Sequence, residues 1–107
     1  MKLLAIGRLR EGADAREITL RADHELRALW QLYRDGVVRE MYWPGRPGAV
    51  LLLEAAARQD AEAALAGLPL VAGGVIDFEV IELRPFSAFE VLFADRLGPV
   101  SAAEGRD

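Results

Sequence analysis

Asp77 and Glu79 stand two residues apart in the run Val75-Ile76-Asp77-Phe78-Glu79-Val80-Ile81-Glu82-Leu83. Alternation makes this run a strand, with Ile76, Phe78 and Val80 on one face and Asp77, Glu79, Ile81 and Leu83 on the other. Side chains two apart on a strand point the same way, and their Cα atoms lie about 6–7 Å apart. If that face is enclosed, two such carboxylates cannot both ionise comfortably. Either a cation pairs with them or one of them holds its proton to higher pH. A carboxylate tuned in this way can remove a proton beside a carbonyl and return it elsewhere. The structural alternative is a wet rim where the acids pair with Arg84 or Lys2, because ordinary ion pairs perturb carboxylates too.

A second polar pair, Glu40 and Tyr42, falls in Val37-Val38-Arg39-Glu40-Met41-Tyr42-Trp43, which also reads as a strand. Regular alternation puts Val38, Glu40 and Tyr42 on the face that carries the acids, and Arg39, Met41 and Trp43 on the opposite one. Tyr42 could donate to a substrate oxygen and stabilise enolate character, or serve as an aromatic wall of an interface. Arg39 reads as a structural residue whose stem lies along apolar surface.

Other chemistries find little support. His24 is the single histidine and there is no cysteine, so no transition-metal ligand set is expected, and no haem or other cofactor. Ser87 and Ser101 have no base partner for a nucleophilic triad. Pro44 to Gly48 joins strand to strand, so it is a turn and not a phosphate cradle.

The elements that would position these residues follow in order. Leu3 to Leu9 reads as a strand, and Glu17 to Asp35 as a helix with Ala22, Leu26, Leu29, Trp30 and Tyr33 forming its buried stripe. His24 lies off that stripe and should face solvent. Gly36 suits a left-handed helix stop. Ala49 to Glu54 is the return strand of a hairpin and is apolar on both faces, as a central strand would be. Arg58 to Ala66 is a second helix, ended by Gly67 and Pro69. After the acidic strand, Phe86, Phe89, Leu92 and Phe93 have helical spacing, which fits core packing, a lid, or an arm exchanged between subunits.

The order βαββαβ plus a short C-terminal helix specifies an α+β, ferredoxin-like domain with both helices on one face of a four-stranded antiparallel sheet. The other face would be left bare and apolar, which a monomer rarely tolerates. A second copy packed face to face would cover it and close a dimeric α+β barrel.

The segments Gly36-Val37-Val38-Arg39-Glu40-Met41-Tyr42, Leu68-Pro69-Leu70 and Asp77-Phe78-Glu79-Val80 resemble the muconolactone isomerase family, over about residues 17 to 85. The resemblance implies a homodimer or higher homo-oligomer and a cofactor-free shift of a double bond in a small unsaturated lactone or carbonyl acid. It places Asp77 and Glu79 at the family's acidic strand positions and Arg39 at its middle-strand arginine. Glu40 and Tyr42 replace the family's His and Trp, so the family's substrate does not transfer with the fold. Rival readings are a cofactor-independent monooxygenase of the same superfamily and a non-catalytic homo-oligomeric ligand-binding module.

Size and charge agree with one small domain. The 107 residues carry a net charge of −4 with scattered basic groups, which argues against a nucleic-acid partner. No apolar run approaches the roughly 20 residues that cross a bilayer, and a cytoplasmic setting is expected. Residues 1–97 are expected to form the domain and 98–107 a flexible tail.

Overall fold

A computed structural model describes residues 1–93, so the expected tail at 98–107 lies outside the described residues. The elements are β1 (Lys2–Leu9), α1 (Arg16–Arg34), β2 (Val38–Tyr42), β3 (Val50–Glu54), α2 (Arg58–Ala66), α3 (Pro69–Ala72), β4 (Ile76–Leu83) and a 3₁₀ segment (Ser87–Phe93). The four strands form one sheet in the order β2-β3-β1-β4, and every neighbouring pair is antiparallel. This is the expected ferredoxin-like arrangement, with β1 and β3 central and the two chemistry-bearing strands, β2 and β4, at opposite edges.

One sheet face is covered. Leu3 and Ala5 of β1, Leu51 and Leu53 of β3, Val38 of β2 and Val80 of β4 pack against Ala61 and Leu65 of α2, Leu68, and the flank of α1 formed by Ala28, Leu29 and Leu32. A second cluster of Leu70, Val75 and Ile76 continues the core beneath Ile18. Burying a Leu or Val side chain contributes about 1.5–3 kcal/mol, so this one-sided core holds both helices to the same face.

Two close backbone approaches set the edge hairpin. Gly48 has φ +103°, and a Cβ there would sit 2.2 Å from the Gly7 carbonyl oxygen. The Gly7 N–H donates to the Ala49 oxygen at 2.8 Å, and Arg46 Nη1 donates to the Gly7 oxygen at 2.8 Å. Glycine at 48 therefore lets the β2–β3 turn lie against β1.

Several expectations need correction. The register between β2 and β3 shifts between Val38 and Glu40. The irregularity turns Val38 to the helix side, where it is fully buried, while Glu40 and Tyr42 stay opposite Leu52 and Val50 on the open face. Strict alternation misses this because a bulge changes the phase of every residue beyond it.

The stripe assigned to α1 is only partly buried. Ala22 and Leu29 are partly buried, but Leu26, Trp30 and Tyr33 are exposed, and Glu25 takes the centre of the packed face. Gly67 has φ −79°, so it is not a left-handed stop. Leu68 is extended instead, and Pro69 starts α3 rather than merely ending α2, its fixed φ being suited to a first helical turn.

Candidate functional site

The open sheet face is built by alternation from all four strands. Cross-strand pairing sets Tyr42, Val50, Ile6 and Glu79 in one row, and Glu40, Leu52, Leu4 and Ile81 in the next. Leu4, Ile6, Val50 and Leu52 thus form an apolar floor between the Glu40–Tyr42 edge and the Asp77–Glu79 edge. Three strand spacings separate Tyr42 from Glu79 along their row, roughly 14 Å. The four candidate residues share one face of the sheet, yet they form two clusters at its opposite margins.

At the β4 margin both acids are paired. Arg8 Nη1 lies 3.0 Å from Glu79 Oε1, and Arg10 Nη2 lies 3.0 Å from Asp77 Oδ1. Arg10 Nε also donates to Asp77 Oδ2 at 3.1 Å. The guanidinium of Arg10 is held more firmly protonated, first by this hydrogen bond and then by the charge of Asp77. In the single chain the Asp77 and Glu79 side chains are 55% and 54% exposed, so neither is enclosed by its own subunit.

The partners differ from those anticipated. Arg84 binds Glu82 at 2.9 Å, and Lys2 lies opposite Leu83 and Glu54. Arg8 could have been found by continuing the alternation Leu4, Ile6, Arg8 along β1, because antiparallel pairing sets Arg8 directly across from Asp77. Arg10 lies just beyond that strand and carried no such signal. The β4 edge also borders a groove of about 300 Å³ lined by Glu62, Leu65, Ala66, Val71, Asp77, Phe78 and Val80.

At the β2 margin the Tyr42 hydroxyl donates to Glu40 Oε1. This bond, followed by the charge of Glu40 and partial burial, raises the phenol above its ordinary range. Tyr42 is therefore a neutral donor whose proton is directed by Glu40. Arg39 does not join this cluster. Its Nε donates to the Gly36 oxygen at 2.7 Å, and it lines a groove beside the C-terminal end of α1. That placement agrees with a structural residue on the helix side. His24 is exposed on α1, away from both clusters.

Among the described residues no three His, Cys, Asp or Glu side chains converge as a metal-holding group. No described helix is long and apolar enough to cross a membrane. What the open face offers is two acids held by two arginines, one carboxylate-directed phenol, and an apolar floor between them.

No protein-family model matches the chain, and no curated protein matches it either. Solved structures do match. Muconolactone isomerase superposes with a TM-score of 0.64 at 20% identity, over 82% of this chain and 93% of that one. The 5-chloro-2-hydroxyhydroquinone dehydrochlorinase of Burkholderia phenoliruptrix, in complex with 2,5-dihydroxybenzoquinone, superposes with a TM-score of 0.57 at 17% identity, over 78% of this chain and 94% of that one. At these identities the likeness is one of fold.

Proposed function

We propose that this chain, which has the fold of muconolactone isomerase, uses its open sheet face to bind a small unsaturated lactone or carbonyl acid and to move a proton within it. The observation that carries this reading is the placement of paired carboxylates and a carboxylate-directed phenol at the two margins of one apolar sheet face. The similar structures are enzymes whose names specify small oxygenated ring compounds.

The chemistry is balanced without a redox partner. Asp77 or Glu79, released from its arginine, takes a proton from the carbon beside the carbonyl. The electron pair moves into the conjugated system, and charge develops on the carbonyl oxygen. Tyr42 donates to that oxygen, while Glu40 holds the phenol in place. The same carboxylic acid then returns the proton at another carbon, which shifts the double bond. The freed Arg8 or Arg10 binds the substrate carboxylate.

Base and phenol of one chain are too far apart to meet on one small ring. The reading therefore includes a second copy packed on the open face, which sets its β2 margin over the β4 margin of the first. That packing removes Leu4, Ile6, Val50, Leu52, Ile81 and Leu83 from water, and isologous pairing is the common solution for homodimers. It also excludes water from the space between the sheets, which strengthens every polar contact made to a substrate there.

The test is proton–deuterium exchange into lactone and enone acids by the wild type, Asp77→Asn and Glu79→Gln. Loss of exchange in either variant supports the reading, and equal exchange in all three rejects it. The Arg8–Glu79 and Arg10–Asp77 pairs favour one second reading, a non-catalytic ligand-binding homo-oligomer in which the acids only set the arginines. In that case organic acids bind to the wild type without any exchange.

A further inference from the structure

The last turn of α1 ends in a tight reversal. The Val37 N–H donates to the Leu32 oxygen at 2.9 Å and the Gly36 N–H to the Tyr33 oxygen at 3.1 Å, with Gly36 at φ +78°. This is the paired cap that a left-handed glycine allows. The Asp35 N–H takes the Gln31 oxygen as well, so these helix-end carbonyls are all occupied. The reversal brings β2 back beside the helix, where Arg39 Nε donates to the Gly36 oxygen at 2.7 Å.

Between the helix end and β2 lies an open groove of about 510 Å³, lined by Trp30, Tyr33, Arg34, Gly36, Val38 and Arg39. Small-molecule sites have this order of size, and they are mostly apolar with a few converging polar groups. Val38, fully buried, lies at its base. Trp30 and Tyr33 stack along one wall, with centroids 5.7 Å apart and planes 30° apart. Both rings are exposed, and neither belongs to a core cluster.

The charge of the groove is one-sided, with two arginines and no acid in its lining. Among the described residues neither Arg34 nor Arg39 has a carboxylate within ion-pairing distance, whereas Arg8, Arg10 and Arg58 each do. Nearby acids are engaged elsewhere. Asp35 accepts from Gln31 Nε2 at 3.0 Å, Glu40 from the Tyr42 hydroxyl, and Glu54 from the Met1 amine at 2.7 Å. Arg39 is fixed through its Nε, which leaves its terminal nitrogens to donate as a fork. On a chain of net charge −4, two unpaired guanidinium groups beside stacked rings select for an anion.

We propose that this groove binds a planar aromatic carboxylate, its ring stacked on Trp30 and Tyr33 and its carboxylate held by Arg39 and Arg34. Neither half suffices alone. An exposed ion pair contributes little, and stacking adds the affinity and the preference for a flat ring. The groove lies on the helix side of the sheet, away from Glu40, Tyr42, Asp77 and Glu79, so this site stands whether or not the open face is catalytic.

Naphthoate is the probe, titrated into isotope-labelled protein while the two indole N–H resonances are followed, assigned with Trp43→Phe. The Trp30 resonance should move to saturation and the Trp43 resonance should stay. By calorimetry, Arg39→Gln and Arg34→Gln should each weaken binding about threefold to tenfold, and Trp30→Leu about threefold or more. Arg34 has no partner to lose, so its variant keeps the test intact if Arg39→Gln loosens the reversal; thermal unfolding checks that each variant is folded. Naphthylmethanol, which is neutral, and cyclohexanecarboxylate, which has no aromatic face, should each bind about tenfold more weakly. Equal affinity for naphthoate and naphthylmethanol, or unchanged affinity in both arginine variants, would overturn the proposal. So would weakening by Arg8→Gln in place of the groove variants, since the probe would then sit on the open face.

Discussion

The Glu25 carboxylate, buried at the centre of the packed face of α1, accepts a hydrogen bond from the Leu70 N–H at 2.9 Å. It thereby satisfies a donor in the first turn of α3, the short helix that delivers the chain into β4. Burial raises this carboxyl above its ordinary range, opposed only in part by the Leu70 hydrogen bond.

A raised carboxyl in the folded state binds its proton more tightly than the unfolded chain does. Its contribution to stability is greatest below the unfolded value of 4.5 and is lost as pH rises through the higher folded value. Glu25→Gln keeps an acceptor for Leu70 and removes the titration. Chemical denaturation across that acid-to-neutral window should show a flatter profile for Glu25→Gln. Glu25→Leu should cost about 1–3 kcal/mol by leaving a buried N–H unpaired. Parallel profiles for wild type and Glu25→Gln would refute this account of Glu25.

Gly48→Ala should be among the most damaging small substitutions. Its Cβ would be driven into the Gly7 carbonyl at 2.2 Å and held at a φ of +103°, and strained backbone alone costs on the order of 1–3 kcal/mol. Gly45→Ala keeps a positive φ of +83° but meets open space, so it should cost clearly less. Thermal unfolding of the two variants measures the difference.

The acids at the β4 margin should matter little to stability. Exposed ion pairs are worth roughly 0–1 kcal/mol, so Asp77→Asn and Glu79→Gln should unfold within about 1 kcal/mol of the wild type. Any loss of exchange activity in these variants then reflects chemistry and not a damaged fold. A larger destabilisation would place the acids in a structural role.

Tyr42 should ionise later than a free phenol, because ionising it would place two negative charges side by side with Glu40. In a Tyr33→Phe background the phenolate absorbance reports Tyr42 alone. Glu40→Gln should move its titration down towards the ordinary tyrosine range. No movement would mean that the Glu40–Tyr42 hydrogen bond does not persist in solution.

Legibility differed from element to element. The β4 pattern is strict, with Ile76 and Val80 buried and Asp77, Glu79, Ile81 and Leu83 facing out, because an edge strand without a bulge obeys alternation. In β2 the same rule failed at Val38, where a register shift altered the phase. In α1 apolar spacing favoured Leu26, Trp30 and Tyr33, whereas the packed face is centred on Glu25. A charged residue at the middle of a core-facing stripe cannot be read from periodicity, since its partner is a backbone N–H 45 residues away.

The amino-acid sequence alone determined the strand and helix order, the one-sided sheet, and the sharing of one face by Glu40, Tyr42, Asp77 and Glu79, because these depend on local periodicity. Only the tertiary structure decided that Arg8 and Arg10 hold the acids and that a register shift turns Val38 to the core. Exact register and side-chain pairing arise from long-range contacts, which no local pattern records.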